Sequence, residues 1–338
     1  MKIITKILNN ILSKKLILNL ILIKNLKYFL SNYYYDFKRF IFSSSTLKVK
    51  SEKNIESKIS ANYHALEKGL AMSDKKKKFG IKRTEQLIKH LENYSKKKFN
   101  CKSSQISSSI KVLYKYFKYH EKLNDEEIVN LEKKFKNLIN NITTSDDFEG
   151  GSKEIIFNKN ANLNKSFKEI AESRNSVRDF SDAKLDLSLL KEAIRTASNT
   201  PTTCNRQPNK VYYLNDKEKI KNILKLQNGN SGWGSKINNL LICTTDLQYF
   251  SGITDRNQAQ IDGGMFCMSL VYALEEYSIL NCTLNWSVDS KQDNKLRKII
   301  NISNSEIIIM MIAIGLPPEK YLVANSQKRD IDEILFYL

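Results

Sequence analysis

The stretch Asp262–Tyr277 constrains the fold more than any other part of the chain. Its spacing predicts a helix, yet Met265, Phe266, Met268, Leu270, Val271 and Leu274 leave it apolar on nearly every side. Such a helix must be buried, either at the centre of a domain or in a subunit interface. Strand candidates rich in β-branched and aromatic residues surround it: Val211–Leu214, Leu240–Thr244, Thr283–Trp286 and Ile307–Ile314. Upstream, Leu187, Leu190, Ala193, Ile194 and Ala197 recur at helical spacing behind Asp186, a suitable N-cap. Helices and strands therefore alternate in the second half, which predicts an α+β or α/β class; no internal repeat is visible.

The first half reads differently. Ile55, Ile59, Tyr63, Leu66 and Leu70 form a helical stripe that Gly69 is placed to end, and Leu87, Ile88 and Leu91 mark a second helix over Thr84–Tyr94. Lys102–Ser109, with five serines in eight residues, reads as a loop before helical patterns at Val112–Phe117 and Ile128–Ile139. Around Asn141–Ser152 the chain turns polar, which places a boundary there. A length of 338 residues accommodates about two domains. The expected division is a basic amphipathic segment at 1–45, a helical domain at 46–145, and a third unit at 160–338.

The formal charge of +19 is unevenly spread: residues 1–100 hold 23 basic against 7 acidic side chains, whereas 151–338 hold 24 against 21. Lysine supplies most of it, with only nine arginines in the chain. Bidentate base readers favour arginine, and no basic recognition helix or aromatic–basic string appears, so nucleic acid is not expected as a partner. Leu16–Ile23 is too short to span a bilayer and lacks a following small-residue cleavage site. A basic helix over residues 1–45 could instead lie on an anionic membrane face or pack on the protein itself. Five cysteines without a CxxC pair suggest a reducing, cytoplasmic setting with neither a disulfide framework nor a zinc ribbon. His64 and Glu67 share a helix face, but with no second half-site they suit a hydrogen-bonded pair better than a metal.

Two strings carry the chemistry. In Ser173-Arg-Asn-Ser-Val-Arg-Asp-Phe180, the guanidinium groups of Arg174 and Arg178 and the Ser176 hydroxyl can converge on one dianion. In Pro201-Thr-Thr-Cys-Asn-Arg-Gln-Pro208, Asn205 and Gln207 both donate and accept, as the edge of a uracil-like ring requires. Cys204 has no resolving cysteine nearby in sequence and is expected to pack rather than to react. Trp233 is expected to anchor a loop. Arg206 and Arg256 are candidate substrate contacts, Arg256 having a surface salt bridge as the competing reading. Read as ordinary surface loops, either string alone would mean little.

Their order does mean something. With Leu240–Thr244, then Gln260-Ile-Asp-Gly-Gly, Leu284-Asn-Trp-Ser, Ile314-Gly-Leu-Pro and Lys328-Arg329, they resemble the nitroreductase (flavin reductase-like) family over about residues 165–338. The first half, with Tyr63–Leu70 and Phe79-Gly80, resembles the helical extension of nitroreductase-like proteins linked to surface-polysaccharide genes. The resemblance implies an α+β, nitroreductase-like sandwich with a mixed sheet flanked by helices and an N-terminal all-helical extension. It also implies an obligate homodimer with FMN at the dimer interface, NAD(P)H as electron donor, and an unidentified oxidised small molecule as substrate. Carried over by position, Arg174, Ser176, Arg178 and Arg329 would hold the FMN phosphate. Thr202, Thr203, Asn205 and Gln207 would line the ribityl chain and pyrimidine edge. Leu284, Asn285 and Trp286 would approach the flavin near N5. Flavin-dependent dehydrogenation, an oxygen-using reaction and a non-catalytic flavin-binding assembly role stay open beside it.

Overall fold

The computed structural model describes residues 14–43, 51–140, 142–157 and 165–338. Helix α1 (Lys14–Ser43) comes first, followed by four helices: α2 (Glu52–Leu70), α3 (Ile81–Lys96), α4 (Ser104–His120) and α5 (Glu126–Ile139). The last four bury one stripe each into a shared core that includes Ile55, Leu66, Leu91, Leu113 and Phe135. The periodicity read from sequence is thus realised where apolar spacing follows the 3.6-residue turn. Residues 1–13 and 44–45 of the expected N-terminal segment lie outside the described residues, as do residues 46–50 of the expected helical domain.

Two local expectations give way. Lys102–Ser109 is not a loop: α4 begins at Ser104, and Ser104, Ser107, Ser108 and Ser109 are all buried. Their small side chains let another strand of chain approach closely, so that a Cβ on Gly150 would fall 2.7 Å from the Ser108 carbonyl oxygen. Gly69 does not end α2 either; it lies in its last turn, with Ala71 as the C-cap. Its lack of a side chain matters because a Cβ there would overlap the Phe79 ring.

The second half is built on a four-stranded sheet, β2 (Asn209–Leu214), β3 (Asn239–Asp246), β5 (Glu306–Gly315) and β4 (Leu280–Asn285) in that spatial order. Every pairing in it is antiparallel, so within one chain the sheet is not the mixed sheet expected. Period-two alternation sorts β3 between two layers. Leu241 and Cys243 pack against α7 (Leu187–Ala197) and α9 (Gln258–Glu276). Leu240 and Ile242 pack against α8 (Lys217–Leu224) and α10 (Ser290–Ile300) on the other face. The four predicted strands all form; β1 (Ser152–Ile156) and β6 (Lys320–Ala324), which pair with each other, were not foreseen. Each is only five residues long, and its pairing partner is remote in sequence.

Helix α9 buries Phe266, Cys267, Leu270, Val271 and Leu274 against the sheet, while Ile261, Met265 and Met268 stay exposed in the single chain. Polar ties join the two halves. Glu67 accepts from the Gly151 N–H at 3.1 Å, and Glu333 accepts from the Ser104 N–H at 3.0 Å. Arg329 donates to buried Glu56 at 2.7 Å. Helix α1 reaches the rest of the described chain through Asp36, which receives Arg256 Nε at 2.7 Å and Nη2 at 3.2 Å. No helix among the described residues is long and apolar enough to cross a membrane.

Candidate active site

The first cluster follows α6 (Phe167–Ser173), which opens on a capping box between Ser166 and Glu169 and stops at Arg174, whose ψ of 119° turns the chain extended. Beyond it the Val177 N–H donates to the Asn281 carbonyl at 2.9 Å and the Ser181 N–H to that of Leu316 at 3.0 Å. An extended segment alternates its side chains. Val177 therefore enters the core, and Arg174, Ser176 and Arg178 share the opposite face. Arg174 and Ser176 line a cleft of about 390 Å³ with Lys153, Gln327 and Lys328. The Arg174 guanidinium makes no hydrogen bond or ion pair among the described residues. Burial, and then the Arg174 charge, pull the Lys328 ammonium below the usual lysine range.

Arg178 donates through Nη1 to the Ser176 carbonyl at 3.1 Å and lies 5.9 Å from the centroid of the Trp233 ring. Its Nε is buried without an acceptor. Buried donors are almost always paired, so an orphaned guanidinium N–H fits an anion that completes the set. The residues present therefore suit the phosphate of FMN. Arg329 does not face this cleft: besides Glu56 it meets Glu333 at 3.0 Å, and Lys328 stands beside Arg174 instead.

The second cluster is the loop after α7. Thr203 donates to buried Asp262 through its N–H at 3.0 Å and its hydroxyl at 3.2 Å, and Gln258 reaches the same carboxylate at 2.8 Å. Cys204, Asn205 and Gln207 hold φ values of 53°, 55° and 51°, a left-handed conformation that costs non-glycine residues energy. The Asp262 anchor and the 3.0 Å bond from the Gln207 N–H to Thr202 Oγ1 hold the loop in that shape. Cys204 is exposed rather than packed. Arg206 pairs with Asp255 at 2.7 Å and lies over Phe250, so both candidate substrate arginines, Arg206 and Arg256, spend their charge on carboxylates of the chain.

The third cluster ends β4. Leu284 is buried, so what it can offer a ligand is its backbone. The Asn285 carbonyl accepts from Gln227 Nε2 at 3.0 Å, and the Trp286 indole N–H donates to Asp293 at 2.8 Å. From Asn281, beside Val177, to Asn285 the strand runs about 13 Å.

These clusters are not all together in one chain. The Thr203 loop is tied to Asp262 in the first turns of α9, whereas Ser173, just before Arg174, is tied to Glu275 at its other end by a 3.0 Å bond. Thirteen residues of helix separate the anchors by about 20 Å. The loop and the arginine face are thus anchored at opposite ends of α9. Sequence reasoning overlooked Lys68, near Arg178 and Arg83, and Gln227, which meets Asn285; only the tertiary fold brings them there.

The model of the nitroreductase family matches residues 171–231, which include both the Arg174–Arg178 segment and the Thr202–Gln207 loop. Among solved structures, a nitroreductase family protein from Streptococcus pneumoniae is similar at 20% identity over 51% of this chain and 100% of its own, with a TM-score of 0.44. An FMN-dependent nitroreductase from Clostridium difficile is similar at 15% identity over 44% of this chain and 85% of its own, with a TM-score of 0.39. No curated protein matches the chain. Residues 171–231 thus match the nitroreductase family model and are set in an α+β half that follows a helical N-terminal half.

Proposed function

We propose that the protein is an FMN-dependent oxidoreductase acting as a homodimer on an oxidised small molecule. The observation that carries this is the Arg174–Ser176–Arg178 face with its orphaned, buried Arg178 Nε, inside the segment that matches the family model. FMN, when bound, would supply hydride transfer at N5, from NAD(P)H and on to the substrate. Arg174, Ser176, Arg178 and Lys328 would hold its phosphate dianion. The strained Thr202–Gln207 loop would present Asn205 and Gln207 to the polar ring edge, fixed in place by Asp262. Asp293 and Gln227 would keep Trp286 and the Asn285 backbone from shifting at the reacting side.

The anchoring of the clusters at opposite ends of α9 supports the homodimer. The loop of one copy would meet the arginine face of the other, with the exposed stripe of Ile261, Met265 and Met268 buried between them. Free thiols fit a cytoplasmic setting. The exposed leucines, isoleucines and tyrosines of α1, with Lys24 and Lys27, would suit peripheral contact with an anionic membrane. The test is the absorption spectrum of the purified protein: flavin bands bleached anaerobically by NADPH or NADH are expected. A colourless protein that cannot be reconstituted with FMN overturns the proposal.

A further inference from the structure

A second cleft, of about 380 Å³, lies between the end of α2 and the loop before β3, where the two halves of the chain meet. Lys68, Phe79, Arg83 and Trp233 line it, and the Phe79 ring packs directly against Gly69. Its cations lack counter-ions. The Lys68 ammonium makes no hydrogen bond or ion pair among the described residues, and the Arg83 guanidinium donates only to the neutral Asn62 at 3.3 Å. Asp74, on the rim, is engaged by Lys236 at 2.9 Å. Arg178, with its orphaned Nε, lies over Trp233. Burial lowers the Lys68 pKa, and the charges of Arg178 and Arg83 lower it further. Partly buried charges are ordinarily paired, so half-buried Lys68, with exposed Arg83 nearby and the lining carboxylate Asp74 taken by Lys236, calls for an anion from outside. The cleft also borders the β4 end: Gln227 donates to the Asn285 carbonyl and accepts from the Gly229 N–H at 2.6 Å, and Gly229 lines the cleft.

We propose that this cleft binds the anionic group of the substrate, a phosphate or carboxylate on a flat ring, through Lys68 and Arg83, with the ring against Phe79. The helical half thereby selects charged substrates for the flavin site. The role as substrate site rests on the flavin proposal; the anion site itself does not. A volume of this size suits a small molecule.

The test uses the full chain reconstituted with FMN and titrated with phenyl phosphate, benzoate and benzyl alcohol, followed by tryptophan fluorescence. Both anions should bind at least tenfold more tightly than the alcohol, and the tighter anion names the substrate class. The K68A/R83A double variant should lose that preference while FMN affinity stays within threefold; K68R/R83K should keep it. Circular dichroism confirms that each variant is folded. Absence of an anion preference in the parent, or its survival in K68A/R83A, overturns the proposal. So does a parallel loss of FMN affinity, which would assign these cations to the flavin phosphate. If FMN does not bind, the flavin proposal alone fails, and the same titration of the flavin-free chain still decides the anion site.

Discussion

Replacing Arg174 with alanine separates binding from folding more cleanly than any other change in the arginine face. Among the described residues the Arg174 guanidinium makes no hydrogen bond or ion pair; it stands beside Lys328, a like charge, and near Glu275, whose carboxylate its charge favours. Its removal therefore breaks no such contact, and the repulsion relieved offsets the attraction lost, so the melting temperature of the flavin-free protein should stay within a degree or two. The phosphate of FMN, in contrast, would lose a charge-assisted contact worth about 2–3 kcal/mol. At 1.36 kcal/mol per decade, that is roughly a 30- to 160-fold weaker Kd. Lys328 remains to hold part of the charge, which favours the lower end. Quenching of FMN fluorescence during titration gives the Kd directly. A value within twofold of the parent refutes the phosphate assignment, and a large drop in melting temperature refutes the claim that Arg174 is structurally idle. Arg178→Ala is the contrasting control, because it also loses the Trp233 contact and the bond to Ser176 and should destabilise the fold.

Arg329→Ala should behave in the opposite way to Arg174→Ala: it takes the 2.7 Å partner from buried Glu56 and leaves only exposed Lys53 at 3.3 Å, costing about 1–3 kcal/mol in urea unfolding, with little change in FMN affinity. A large loss of FMN affinity without destabilisation would restore Arg329 to the phosphate site. Asp246 gives a pH prediction. Burial would raise its pKa, but the Gln248 N–H, Lys210, Ser305 and the Gln248 side chain outweigh that and bring it down to about 2 from 3.8. A depressed carboxyl stabilises the fold above its unfolded pKa and loses that contribution as pH falls through the folded value. The parent should therefore lose about 2 kcal/mol more than Asp246→Asn between pH 5 and pH 2, measured by urea unfolding; equal losses would refute it. Met265→Asp, on the exposed stripe of α9, should convert the expected dimer to monomer in analytical ultracentrifugation and weaken FMN binding with it. A parent that sediments as a monomer while binding FMN would refute the two-subunit site.

Much of this architecture could be read from the sequence alone because its causes are local. A helical stripe such as Ile55–Leu70, a capping residue such as Asp186 and the apolar strand Ile307–Ile314 each follow from spacing within a dozen residues. The arginine–serine–arginine string was equally visible, since an extended segment places alternate residues on one face. Features set by remote neighbours were not visible. Serines that look like a loop became a buried helix because chain from residue 150 packs against them. Gly69 looked like a helix stop and proved to be clearance for Phe79. β1 and β6 are short, and each is stabilised only by the other across more than 150 residues.

The same division holds at the site. Sequence by itself determined which residue types are present to hold an anion and a ring edge, because hydrogen-bonding capacity belongs to the side chain. Only the tertiary structure decided which of them are free to do so. Arg206, Arg256 and Arg329 were equal candidates until the fold brought Asp255, Asp36 and Glu56 to them and left the side chains of Arg174 and Lys68 and the Nε of Arg178 without a hydrogen-bonded partner among the described residues. It also set the Thr203 loop and the arginine face at opposite ends of α9, a separation fixed by the rise of a helix. Charge pairing is decided over a few ångströms of space, and the order of residues along a chain does not encode that distance.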